Sequence, residues 1–285
     1  MTWAKHYWDM VHRLYWAPEC LGLKPFGKKI SAPAHPILVE VNDIIMNSRV
    51  RARTRTWPQT HNKLMGDEET INAFFALFFS IVPDYLIERW LGKPLEIKDS
   101  SEFKSYSRLQ ISERYGWEGQ NVTQHDGVFT SNNSIIGVEL KLKARIDCNQ
   151  FLKYAAIIAL EENQTGRRKD VGLLYIVPEN RLKDIRSTLA SWDGPVRRSM
   201  LQDHRSLKLN RYVANIIESD RPHFEDVMSR MRLGAISWTT LYDGVADEKR
   251  SLDPSDHAHQ ALYRLLDGFA EQLIQHRDTG ISPRP

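Results

Sequence analysis

The segment TQHDGVFTSNNSIIGVELKLKA, residues 123–144, places the strongest constraint on the fold of this chain. Apolar and β-branched residues lie on both sides of the turn-forming residues 131–134, so the segment is predicted to form a β-hairpin. Strand side chains alternate between two faces, and Leu140 and Leu142 share one face of the second strand. The opposite face carries Glu139, Lys141 and Lys143. A solvated surface is the simplest interpretation of such a face, and a functional site is the alternative.

Apolar periodicity predicts helices and strands around this hairpin. An acidic first turn followed by apolar residues at helical spacing predicts a helix that begins near Asp67. A second helix is predicted over about residues 147–163, and the unbroken apolar run in 170–179 predicts a strand buried on both faces. The other predicted elements are a strand over 107–117, helices over 3–15, 182–190 and 212–231, a last strand in 234–243, and an amphipathic helix in 256–277. This order predicts an α/β core in which strands meander before a helical crossover.

Composition predicts a globular protein with a buried core, since 41% of the residues are hydrophobic and 26% are charged. No apolar run reaches the roughly 18 residues that a membrane-spanning helix needs, and the N-terminus is too polar for a signal peptide. The two cysteines, Cys20 and Cys148, have neither metal-site spacing nor the pattern of a disulfide scaffold. We therefore expect a soluble, cytoplasmic protein without a membrane partner.

Basic residues are concentrated near the N-terminus, although the net charge of the chain is only +3. Arginines occupy every second position in SRVRARTRTW, so an extended segment would present all of them on one side. These residues are Arg49, Arg51, Arg53 and Arg55. Such a stripe suits a phosphate backbone, because each neutralised phosphate releases counterions. A solvated edge strand or loop is the alternative.

Acidic residues and a lysine follow one another along the predicted elements in a distinctive order. The helix before the hairpin carries Glu68 and Glu69, either of which is a candidate for an inward-facing carboxylate. The hairpin carries Asp126 in QHDGVF on its first strand, and Glu139 with Lys141 in VELKL on its second. This order resembles the PD-(D/E)xK nuclease superfamily, which has the restriction-endonuclease-like fold.

The helix after the hairpin extends this resemblance. Gln150 and Tyr154 in QFLKY resemble the Gln-x-x-x-Tyr motif of exonuclease-like branches of the superfamily. His125 stands where the superfamily nominally has proline, at a position that varies, and is interpreted as a strand histidine and not a ligand. The resemblance covers about residues 67–180 and implies a central mixed sheet flanked by helices. The expected parts of the chain are an N-terminal extension over 1–65, a nuclease-like core over 66–245 and a C-terminal helix over 246–285.

Phosphodiester hydrolysis explains these residue types chemically. The reaction needs a hard cation that polarises the phosphoryl oxygen and activates water, and Mg²⁺ prefers oxygen ligands. Asp126 and Glu139 would supply carboxylates and Leu140 its carbonyl, while Glu68 would bind a second metal or a metal-bound water. Lys141 would orient the attacking water and offset negative charge. Mn²⁺ is the expected substitute for Mg²⁺.

The sequence therefore predicts a Mg²⁺-dependent nuclease of prokaryotic or phage type, with DNA as the favoured substrate. Gln150 is expected to bond the lysine or the scissile phosphate, and Lys143 and Tyr154 to contact nucleic acid. A module that binds nucleic acid without cleaving it, or a protein-interaction domain, is the alternative function. The choice between DNA and RNA, and between endonuclease and exonuclease, stays open. A homodimer or a separate protein partner is compatible with the sequence.

Overall fold

A computed structural model describes most of the chain. The described residues are 2–16, 61–62, 64–66, 68–106, 108–116, 125–194, 197, 199–200 and 211–281. The chain divides into two units, one formed by Met1–Phe75 with Val245–Pro285 and the other by Ala76–Gly244. The predicted N-terminal extension and C-terminal helix both belong to the first unit, whereas the hairpin belongs to the second.

A mixed β-sheet forms the centre of the second unit, and its five strands among the described residues are arranged in chain order. They are β1 (Lys104–Tyr106), β2 (Gly127–Thr130), β3 (Ser134–Leu140), β4 (Asp170–Val177) and β5 (Arg232–Ser237). Neighbouring strands are antiparallel from β1 to β3 and parallel from β3 to β5. The predicted α/β class, mixed sheet and hairpin are confirmed.

The described residues of the two units also form ten α-helices. They are α1 (Trp3–Trp16), α2 (Glu68–Phe79), α3 (Asp84–Ile87), α4 (Arg108–Arg114), α5 (Cys148–Thr165), α6 (Glu179–Ser191), α7 (Arg211–Ser219), α8 (Arg221–Arg230), α9 (Trp238–Ser251) and α10 (His257–Gln275). The described residues also include a π-helix at Glu88–Gly92 and 3-10 helices at Lys93–Leu95 and Arg277–Thr279. No helix within the described ranges is long and apolar enough to cross a membrane.

Helix α5 makes the crossover between β3 and β4 and covers one face of the sheet. It begins where the Asp147 side chain accepts the Asn149 N–H at 2.8 Å, and it ends at Gly166, whose φ is 62°. Strand β4 is buried on both faces, as its apolar run predicts. On the face away from α5, the Leu95 side chain packs directly against the backbone of Gly172. A Cβ at residue 172 would lie 2.8 Å from Leu95 Cδ1.

The strand predicted over residues 107–117 is wrong, because α4 occupies most of that range. Adjacent side chains of a strand point to opposite faces, so a strand could not direct both Arg114 and Tyr115 at one partner. In the structure both reach Glu161 of α5, Arg114 Nε at 3.0 Å and the Tyr115 hydroxyl at 2.8 Å. A tertiary contact therefore decides the local conformation.

The single helix predicted over residues 212–231 is also corrected, to the pair α7 and α8. Asp220 separates the two, and its carboxylate accepts the His223 N–H at 3.3 Å as the cap of α8. Pro222 lies in the first turn of α8, where a proline is tolerated but cannot continue a preceding helix.

The predicted last strand extends only to Ser237, where the chain turns directly into α9. The Ser237 hydroxyl accepts the Thr240 N–H at 3.0 Å, which is the bond expected of a helix-capping serine. The apolar residues after Ser237 therefore belong to a helix.

In the first unit, α1 packs against α10, so both predicted terminal helices are confirmed. The Trp8 indole N–H donates to Gln272 Oε1 at 2.8 Å, and that of Trp3 donates to the Leu265 carbonyl at 2.9 Å. A small apolar cluster around Trp8 and Phe74 completes the packing of this unit.

Candidate functional site

Asp126 and Glu139 meet at the open end of the β2–β3 hairpin. The antiparallel register pairs Gly127 with Val138, which places the two acidic residues directly beyond that pair. Asp126 Oδ2 accepts the backbone N–H of Leu140 at 2.8 Å. Both side chains are buried, with 9% of Asp126 and 2% of Glu139 exposed. The two acidic residues are therefore neighbours at this end of the hairpin, and the sharing of one cation by their carboxylates stays a prediction.

The Tyr154 hydroxyl connects these two residues. It accepts the Asp126 N–H at 3.2 Å and contacts both the Val138 carbonyl and Glu139 Oε2, the latter at 3.0 Å. Burial, followed by the charges of Glu139 and Asp126, raises the pKa of Tyr154 well above its usual value. The phenol therefore keeps its proton and donates it in a hydrogen bond.

Tyr154 reaches the strand because residue 137 is a glycine. A Cβ on Gly137 would lie 2.5 Å from Cδ1 of the Tyr154 ring. Tyr154 is only 2% exposed, so its ring has no surface to offer a nucleic acid in this conformation. The predicted nucleic-acid contact of Tyr154 is thus replaced by a buried role that fixes the hairpin carboxylates.

Lys141 forms a buried ion pair with Glu139. Its Nζ lies 2.7 Å from Glu139 Oε1, and 6% of the residue is exposed. The Lys141 backbone N–H donates to the Ile176 carbonyl at 2.9 Å, which keeps this residue aligned with β4 beyond the end of β3. Gln150 Nε2 donates to the same Glu139 oxygen. Gln150 thus bonds the carboxylate of Glu139, whereas the lysine or the scissile phosphate was its predicted partner.

The carboxylate oxygens of this site are ligands that suit a hard cation, although only two side chains supply them. Among the described residues, no group of three or more His, Cys, Asp or Glu side chains could hold a metal ion. Mg²⁺ keeps several waters and is commonly bound through one or two carboxylates. Asp126, Glu139 and Lys141 together carry one net negative charge when both carboxylates are ionised, which favours a cation. The Leu140 carbonyl as a further ligand stays a prediction.

The remaining predicted site residues fall into two groups. Glu68 and Glu69 lie in the first turn of α2, in the part of this helix that belongs to the first unit. Glu68 is partly buried and Glu69 is exposed. Their predicted role at the metal site stays a prediction. The arginine stripe, Arg49, Arg51, Arg53 and Arg55, lies outside the described residues.

Two further residues lie beside the acidic hairpin. His125 precedes β2 and is not part of the strand in which it was predicted, but it is buried and its Nε2 lies 3.3 Å from the Tyr106 carbonyl. Lys143 is exposed in the loop between β3 and α5. Lys143 is therefore open to solvent, whereas Lys141 is buried against Glu139.

Gly137 and Tyr175 are functional candidates that sequence reasoning missed. Tyr175 lies opposite Glu139 in the parallel register of β3 and β4. A weak signal existed for it, since Tyr175 carries a polar group within the otherwise aliphatic run LLYIV. No comparable signal distinguished Gly137 from any other strand glycine.

The site thus combines two buried carboxylates, a buried ammonium and a buried phenol on one hairpin and the helix that follows it. Such groups can hold a hard cation and keep a proton donor beside it. No protein-family model, curated protein or solved structure matches this chain.

Proposed function

We propose that this protein is a Mg²⁺-dependent nuclease with a restriction-endonuclease-like core and that DNA is its substrate. The observation that carries the proposal is the burial of Asp126, Glu139 and Lys141 together at the open end of one hairpin. Burying two carboxylates and a lysine is costly unless they are paired, and such arrangements are concentrated at functional sites. The strand order, antiparallel through β3 and then parallel through α5, supports the same core.

Each side chain has a distinct role in this proposal. Asp126 and Glu139 would hold the cation, which supplies polarisation of the phosphoryl oxygen and activation of water when bound. Lys141 donates hydrogen bonds from its ammonium group and offsets negative charge that develops on the phosphoryl oxygens. Tyr154 keeps the two carboxylates in register through its hydroxyl.

Hydrolysis in such a site forms one P–O bond and breaks one P–O ester bond. The hydroxyl of the attacking water joins phosphorus, and the other proton of that water ends on the leaving oxygen. Lys141 lies on the same side of the strand as Glu139, so it is placed to hold the water or the phosphoryl group.

Access for a polyanion is favoured by the loop that follows β3. Lys143 and Arg145 are both exposed in this loop, directly after the buried Lys141. Their charges would contact phosphates on either side of the scissile bond, in a manner independent of base sequence.

One observation favours a second candidate, a nucleic-acid-binding module without cleavage. Both carboxylate oxygens of Glu139 already contact protein donors, Lys141 and Gln150 at Oε1 and Tyr154 at Oε2. A pair satisfied in this way can be retained for structure alone. Metal binding separates the two candidates, because only the nuclease needs it.

The decisive variant is Glu139→Gln, compared with Glu161→Gln as the matched control. Glu161 is another buried glutamate of the same unit, paired with Arg114 on α4. We expect Glu139→Gln to abolish Mg²⁺-dependent cleavage of labelled DNA and to weaken Mn²⁺ binding in calorimetric titration. Glu161→Gln should retain both properties.

Cleavage at the wild-type rate by Glu139→Gln would contradict the nuclease proposal. Wild-type protein that binds DNA but leaves it intact with Mg²⁺ and with Mn²⁺ would favour the second candidate. Parallel assays on RNA test the choice of substrate.

A further inference from the structure

Tyr175 presents a buried hydroxyl in an unusual setting. The residue is 0% exposed, and its hydroxyl makes no hydrogen bond to any residue that the structure describes. Leaving a buried hydroxyl without a protein partner is unfavourable, and phenylalanine would fill the same volume without that cost. The hydroxyl therefore requires an explanation other than packing.

The position of Tyr175 connects it to the proposed site. It pairs with Glu139 in the parallel register of β3 and β4, and it belongs to the apolar cluster that packs beneath α5. Burial, followed by the charges of Glu139, Asp147 and Cys148, raises the pKa of Tyr175 well above its usual value. The hydroxyl is therefore protonated and is a hydrogen-bond donor that borders Glu139.

Gln150 supplies a complementary acceptor. Its Nε2 donates to Glu139, and its buried Oε1 has no hydrogen-bond partner among the described residues. Exchanging the amide nitrogen and oxygen would place two acceptors against each other, so the orientation of the amide is fixed by Glu139. One buried donor and one buried acceptor therefore flank the same carboxylate.

We propose that Tyr175 and Gln150 bind one water molecule beside Glu139 and that Tyr175 thereby positions the attacking water. The second half of this inference rests on the proposed nuclease function. Water fits because it accepts from Tyr175 and donates to Gln150 at once. A phosphate oxygen would be repelled by Gln150 Oε1 and by the Glu139 carboxylate, so it is the less suitable ligand.

The substitution Tyr175→Phe tests this role. Removing this hydroxyl breaks no hydrogen bond to the protein, so the melting temperature should change little. Loss of the water contact should lower kcat for DNA cleavage at least about tenfold, with KM unchanged. A purely structural tyrosine would leave kcat as it is.

Tyr115→Phe is the matched control. It also removes one tyrosine hydroxyl from the second unit, but that hydroxyl donates to Glu161 at 2.8 Å. Its melting temperature should fall while kcat stays at the wild-type value. The two variants should thus change stability and rate in opposite ways.

A high-resolution crystal structure of the protein provides a readout independent of activity. We expect a water within hydrogen-bond distance of Tyr175 Oη and Gln150 Oε1, and its loss in Tyr175→Phe. Absence of that water in wild-type protein, or a wild-type kcat in the variant, overturns the inference. Absence of any cleavage by wild-type protein contradicts the proposed function instead, and the electron density alone then decides the water site.

Discussion

Glu139 is the residue at which stability and the proposed chemistry meet. Its carboxylate is 2% exposed and contacts Lys141, Gln150 and Tyr154. A buried carboxylate without such donors would be strongly unfavourable. In the proposed metal site a cation would compete with these same donors, so the residues that stabilise Glu139 would also set its affinity for metal.

Lys141→Ala tests whether the ammonium group acts on the reaction or only balances charge. We expect the cleavage rate to fall about 100-fold or more, the scale of a lost acid–base or charge-stabilising group. Metal affinity should not weaken, because removing a positive charge beside two carboxylates makes the site more negative. Single-turnover cleavage and calorimetric Mn²⁺ titration measure the two quantities.

The matched control is Lys143→Ala, two residues along the same chain segment but exposed. It should lower the rate far less than Lys141→Ala. If the two substitutions lower the cleavage rate equally, both lysines act only through the positive charge that they add to this part of the chain. The specific role proposed for Lys141 would then be wrong.

The residues of the site differ in how well they can be predicted from the sequence. Asp126, Glu139 and Lys141 were predictable because a tight hairpin brings them together through local pairing alone. Tyr154 was predicted to contact nucleic acid but is buried, because the absence of a side chain at Gly137 leaves room for its ring. Tyr175 depends on the register between β3 and β4, which spans a whole crossover helix.

At the scale of elements, strong patterns were predictable and contact-dependent ones were not. Strand β4 and helix α5 follow from an unbroken apolar run and from the cap at Asp147. The conformation of α4 follows from the reach of Arg114 and Tyr115 to Glu161, which lies 46 residues beyond Tyr115. A local stretch of sequence around α4 does not include Glu161, so local patterns could not predict this helix.

Arg230 at the end of α8 holds three elements together. Its guanidinium bonds Glu162 of α5, Asp226 of its own helix at 2.8 Å, and the Lys169 carbonyl at the entrance to β4. Glu162 is buried, so Arg230→Ala would leave its charge without this partner. We expect Arg230→Ala to lower the free energy of unfolding by about 3 kcal/mol in urea titration.

The control for Arg230 is Arg221→Ala on the same helix. Arg221 pairs with Glu225 at 2.9 Å, but both side chains are about half exposed. Exposed pairs of this spacing contribute about 0.5 kcal/mol or less. Similar losses from the two variants would show that the buried network adds nothing beyond a surface ion pair.

At the scale of the whole molecule, charged side chains anchor the central hairpin at both ends. The open end holds the proposed site, and the turn is tied by Asp99, whose carboxylate accepts hydrogen bonds from the hydroxyls of Ser131 and Ser134. Lys169 Nζ adds a bond to the Ser131 carbonyl at 2.7 Å. Strands β2 and β3 are therefore fixed at the turn independently of any ligand at the other end.

Asp99 should make global stability depend on pH in acid. Burial alone would raise the pKa of this carboxyl, but hydrogen bonds from Ser101, Ser131 and Ser134 lower it to about 2. A carboxyl whose pKa is lower in the folded state stabilises the protein above its unfolded value near 4, and this contribution is lost as pH falls through the folded value. Lowering the pKa from 3.8 to about 2 corresponds to about 2.4 kcal/mol, and solvent screening reduces this to about 2 kcal/mol.

We therefore expect Asp99→Asn to be less stable than wild-type protein at pH 6, by about 2 kcal/mol, and the difference to shrink between about pH 4 and 2. Urea titrations at a series of pH values measure it. Asp184→Asn, at an exposed position of α6, is the control and should change the stability at pH 6 only slightly. If the difference for Asp99→Asn stays constant down to pH 2, the variant disturbs packing at the turn and does not act through the loss of a charged acceptor. The hydrogen bonds to the Asp99 carboxylate would then not be what stabilises the turn of the hairpin.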